Sequence, residues 1–123
     1  MRVTSLFGAV ALLAATPALA HHSFAMYDQS REITITGAVS EFQWTNPHCW
    51  IELEVMNSAG KVEHWSVESG SIHSLTSIGW KSKYVKIGDK VTVSLNPMKD
   101  GSRGGAVQSI IFADGKKIVG GGR

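Results

Sequence analysis

A chain of 123 residues that contains one cysteine, Cys49, cannot staple itself internally with a disulfide, so its stability must come from a packed core. Charge is also sparse. Only 18% of residues are Asp, Glu, Lys or Arg, and 12 basic residues against 10 acidic ones leave a formal charge of +2. So small an excess does not point to polyanion binding, and nucleic acid is not expected as a partner. No apolar run reaches the ~20 residues of a membrane-spanning helix, and a mean hydropathy of +0.01 excludes a multi-span protein. The sequence has no nucleophile elbow, HExxH, phosphate loop or paired CxxC. With no complete catalytic set, the reading leans away from an enzyme.

The N-terminus carries an export signal. Met1-Arg2 is a short basic start, Leu6 to Ala15 an apolar run of ten, and Thr16-Pro17 a break before the small-x-small tripeptide Ala18-Leu19-Ala20. Residues 1–20 therefore read as a signal peptide cleaved after Ala20, and the mature protein as periplasmic or secreted, with no stable membrane span after processing. The remainder suffices for one small domain.

Within it, Arg31 to Trp44 alternates apolar and polar residues: Ile33, Ile35 and Val39 keep one parity, Phe42 and Trp44 the other. A period of two that slips by one residue near Gly37 predicts a long strand bent by a β-bulge, able to serve both sides of a small barrel. After the Asn46-Pro47 turn, Cys49, Ile51, Leu53 and Val55 form a clean apolar face. Asn57 to Gly60 turns the chain into a returning strand, Lys61 to Glu68, with Trp65 and Val67 inward. Ile72, Leu75 and Ile78 then predict a helix of about two turns, with Ser71 as N-cap and Gly79 as its stop. Val91, Val93 and Leu95 alternate in a fourth strand, a Gly-rich loop spans Lys99 to Gly105, Ala106 to Phe112 forms a fifth strand, and Lys116 to Val119 a short last one. The expected fold is all-β: a five- to six-stranded OB-like barrel with one short helix between strands three and four. Residues 21–30 form an N-terminal extension, 31–119 the barrel, and 120–123 a flexible tail.

His21-His22-Ser23-Phe24-Ala25, Asn46-Pro47-His48, Gly79-Trp80, Gly88-Asp89 and Lys99-Asp100-Gly101 together resemble a family of short exported bacterial proteins known only as a domain of unknown function. The resemblance spans nearly the whole mature chain. It implies export and a small β-barrel, and it transfers no activity.

Cleavage before His21 creates an α-amine on a residue whose own imidazole can chelate the same metal. His22 adds a second imidazole, and His48 a third if the N-terminal segment folds back over the barrel. Nitrogen ligands in such a set suit Cu(II), and Met26 or Met98 could assist Cu(I). His21 at the terminus resembles the first ligand of the histidine brace of copper oxygenases and copper carriers, although the surrounding sequence matches neither. Copper is thus the candidate cofactor, with His21, His22 and His48 as candidate ligands. Strand parity places Trp50, Glu52 and Glu54 beside His48 on one exposed face, a candidate surface for an unidentified periplasmic protein or small ligand. Cys49 has the opposite parity and is expected to be a buried, inert thiol. The leading expectation is an exported small binding module of unknown ligand, holding a metal or a partner. The alternative is a periplasmic copper-binding or copper-delivery protein using the N-terminal histidine chelate.

Overall fold

The first strand, β1 (Ile33–Gln43), is shared between two neighbours, and this sharing closes the fold. Its first half, Ile33 to Ala38, pairs antiparallel with β4 (Lys90–Pro97), and its second half, Ala38 to Gln43, with β2 (Trp50–Met56). Between Val39 and Glu41 the register shifts, the bulge anticipated from the change of parity. At the bend the two neighbouring strands come close. A Cβ on Gly37 would sit 2.5 Å from the Glu54 carbonyl oxygen, so no larger residue fits there without a shift of backbone.

The computed structural model describes residues 24–120. From β2 the chain turns at Asn57, whose carboxamide oxygen accepts the N–H groups of Ala59 and Lys61, and returns as β3 (Val62–Glu68). A helix, α1 (Ile72–Ser77), follows, capped by Ser71, whose hydroxyl accepts the Ser74 N–H. It is shorter than two full turns, because Gly79 at φ +95° ends it at once. β4 leads to β5 (Gly104–Phe112) and the appended β6 (Lys117–Val119). Parallel pairing of β3 with β5 closes a five-stranded barrel, β1-β2-β3-β5-β4, with β6 added on β5. Gly104 and Gly105 belong to β5 and not to a loop. A Cβ on Gly105 would lie 2.4 Å from both the Asn96 carbonyl oxygen and a Leu95 methyl, which is the close approach this seam requires.

The core is the inward set of all five barrel strands, with Val39, Ile51, Leu53, Val67, Val93, Leu95, Val107 and Ile110 almost fully buried. Leu75 of α1 and Trp80 just beyond it close the barrel between β3 and β4. Trp80 donates its indole N–H to the Val119 carbonyl and so ties the helix to β6. Trp65 lies half-buried against this core and Val67 is fully within it, as their parity predicts. The arrangement is that of an OB-fold barrel.

Candidate functional site

Three segments distant in sequence meet at one end of the barrel. The first is the N-terminal strap. Phe24–Met26 forms a single 3-10 turn, and Tyr27 then runs antiparallel to Met98. The Asp28 N–H donates to the Pro97 carbonyl at 2.8 Å, and the Lys99 N–H to the Met26 carbonyl at 3.0 Å, so the strap is laced to the end of β4. The second is the corner between β1 and β2, where Asn46–Pro47 is a cis peptide. The Asn46 side-chain oxygen accepts the Ile72 N–H at the start of α1, the Thr45 hydroxyl donates to the His48 carbonyl, and the Cys49 N–H donates to the Gly70 carbonyl. The third is the end of β3, which carries Glu68.

Glu68 is a carboxylate with 3% of its surface exposed. The Tyr27 hydroxyl donates to one of its oxygens and His48 Nδ1 pairs with the other. Leaving a buried carboxylate without donors is costly, so both contacts are structural necessities for the carboxylate and fixed constraints on its partners. Phe24 completes the corner, its ring 5.8 Å from that of Tyr27 and 6.2 Å from that of His48. Burial first, then the hydrogen bond and the negative charge of Glu68, push the Tyr27 phenol well above its ordinary value of 10.0, so it remains a donor.

Of the candidate ligands, His48 is half-buried and sits in this corner, while His21 and His22 lie outside the described residues. Among the described residues no three His, Cys, Asp or Glu side chains gather as a metal-binding set. Met26 and Met98 are brought to the strap together, Met26 exposed and Met98 half-buried. The Trp50, Glu52 and Glu54 face is formed as strand parity implies, on the outside of β2 and β3, but Trp50 is half-buried where full exposure was expected. The reason is its position in the sheet, directly between Gln43 of β1 and Glu68 of β3. Glu52 is also half-buried and accepts the Ser66 hydroxyl at 2.7 Å, while Glu54 is exposed opposite His64. Cys49 is fully buried, donates to the Thr45 carbonyl, and has a thiol pKa raised by burial.

Sequence reasoning missed Glu68, Tyr27 and Phe24. A signal for Glu68 was present: once the Asn57–Gly60 turn fixes the hairpin register, Glu68 falls opposite Trp50 and next to His48 on the same face.

The match to a family model runs over residues 9–108. The chain belongs to the family of unknown function DUF6152. No curated protein matches it in sequence. Among solved structures it is similar to the mitochondrial single-stranded DNA binding protein Rim1 of S. cerevisiae, at 14% identity and a TM-score of 0.52 over 68% of this chain and 93% of that one. A second, selenomethionine-labelled crystal of Rim1 aligns at 15% identity and a TM-score of 0.45, over 67% and 92%. The first of these likenesses bears on fold. It also corrects the expectation that nucleic acid is no partner, because a barrel of this fold is carried by a single-stranded DNA binding protein. The small net charge that supported the exclusion is an average over the surface. Lysines 83, 86, 90 and 116 are gathered around one groove at the end of the barrel remote from the strap.

Proposed function

We propose that the protein is an exported binding module that holds a metal ion, copper, between its mature N-terminus and the corner formed by Asn46, Pro47 and His48. The observation that supports this reading is the pairing of His48 Nδ1 with buried Glu68, itself held by Tyr27 beneath Phe24. A carboxylate on one ring nitrogen fixes the ring's orientation and tautomer, which is how proteins prepare histidine ligands. The reach of the chain is also favourable. His22 is two residues before Phe24, so their Cα atoms are at most ~7 Å apart, and the Phe24 ring lies against His48. His21, with its α-amine and imidazole, and His22 would complete a nitrogen set suited to Cu(II), with the Met26 and Met98 thioethers at hand for Cu(I).

Calorimetric titration of the correctly processed protein with Cu(II), beside a free HHSF peptide, tests the reading. The protein should bind one copper at least about 100-fold more tightly than the peptide, His48→Ala should fall to the peptide's level, and Glu68→Gln should lose about tenfold. Equal affinity in wild type and His48→Ala would remove the folded site.

One further observation favours a second reading. The outer face of β2 and β3, with the adjoining loops, is where OB folds carry their ligands, and here it presents half-buried Trp50 with Glu52, Glu54 and His64. A partner engaging it would bury Trp50 and meet the carboxylates with cationic or hydrogen-bond-donating groups. Replacing Trp50 by Ala should then abolish capture of that partner and leave copper affinity unchanged.

A further inference from the structure

Lys83, Lys86, Lys90 and Lys116 line a groove of about 650 Å³ with Tyr84 and Phe112. All four lysines are exposed, and the Lys116 ammonium sits 3.7 Å from the centre of the Tyr84 ring. Two carboxylates share the groove, Asp89, which accepts the Lys86 N–H, and Asp114, which accepts the Lys116 N–H, so the four ammonium groups leave it an excess of two positive charges.

Ile87 follows Lys86 of the groove in the chain and is 75% exposed. It occupies the first corner of a tight turn, Lys86 to Asp89, in which the Asp89 N–H donates to the Lys86 carbonyl and Gly88 adopts φ +89°. The turn is not loose. Gly88 donates to the Val39 carbonyl and Val39 donates to the Asp89 carbonyl, so it is bonded to the bulge of β1. A rigid turn thus holds a large apolar side chain out into water, next in the chain to Lys86 of the groove.

We propose that this end of the barrel docks on an anionic phospholipid surface, the lysine groove receiving phosphodiester headgroups and Ile87 entering the acyl boundary. Cationic side chains gain from the negative surface potential of such a membrane, and an apolar tip gains only where there is an apolar phase to enter. A single-stranded nucleic acid would use the same lysines, but it has no use for Ile87, and the Tyr84 ring on which a base could stack is already covered by Lys116. The geometry also orients the molecule. The groove lies where β4 begins and the strap where β4 ends, about 23 Å apart for an eight-residue strand, so a docked protein presents its histidine corner away from the bilayer.

The test is co-sedimentation of the processed protein with phosphatidylglycerol-containing vesicles and with pure phosphatidylcholine vesicles, alongside binding to inorganic phosphate and to a single-stranded oligonucleotide. The docking account expects binding to the anionic vesicles and neither to pure phosphatidylcholine vesicles nor to inorganic phosphate, weakening as salt rises. Lys86→Ala should weaken it about fivefold and Ile87→Ser about tenfold or more, with melting temperatures unchanged because both side chains are exposed. Three results would overturn the account: no sedimentation with anionic vesicles at low salt, equal vesicle binding by Ile87→Ser and wild type, or lysine-dependent binding of the oligonucleotide without binding of vesicles.

Discussion

The two ends of strands β4 and β5 solve opposite electrostatic problems. At the strap end a carboxylate is buried, and donors from two distant segments, Tyr27 and His48, are brought in to hold it. At the far end four ammonium groups remain in water on turns and strand termini, facing a groove. Charge that is buried must be satisfied, so it ties the fold together; charge left in water contributes little to stability and stays available to a ligand. Substitutions at the strap end should therefore be felt in stability and those at the groove in binding.

The largest expected effect is that of Tyr27→Ala, which empties a buried aromatic position and exposes Glu68 at once. It should cost about 3–5 kcal/mol in denaturant unfolding, and a loss below 1 kcal/mol would show that the strap merely rests on the barrel. Tyr27→Phe sharpens the point, since only the hydroxyl is removed and Glu68 loses one donor. The expected cost is about 1–3 kcal/mol. Its pH dependence is signed. Because the phenol's folded pKa is raised above 10.0, the stabilisation it provides is complete below that value and declines as pH rises further, so wild type should lose stability on the alkaline side while Tyr27→Phe shows a flatter profile there. At the other end, Lys83→Ala and Lys86→Ala should each change unfolding free energy by no more than about 0.5 kcal/mol. A larger loss would mean that these lysines serve the fold and would erase the contrast between the ends.

The barrel was readable because its information is local. The parity slip near Gly37, the Asn57–Gly60 turn and the Ser71 and Gly79 signals each act within a few residues, and each appears as a bulge, a hairpin or a helix end. The two proposed sites are not local. Glu68 sits on the outer face of β3, where parity alone predicts solvent, and it is buried because Tyr27, 41 residues earlier, lies over it. Lys116 joins Lys83, Lys86 and Lys90 only through the pairing of β4 with β5, and a net charge near zero conceals such a grouping. The shared face of Trp50, Glu52 and Glu54 was legible because alternate residues of one strand need no knowledge of the rest of the fold, whereas His48 lies before β2, in the corner.

The central claim, that the mature N-terminus and His48 form one copper site on the barrel, is tested most directly by electron paramagnetic resonance of the Cu(II)-loaded processed protein beside a variant carrying one extra residue before His21. The account predicts a nitrogen-rich tetragonal signal in the processed protein that is altered or lost in the extended variant, where the terminal amine is displaced from its chelate. Identical spectra and affinities in the two proteins would contradict it.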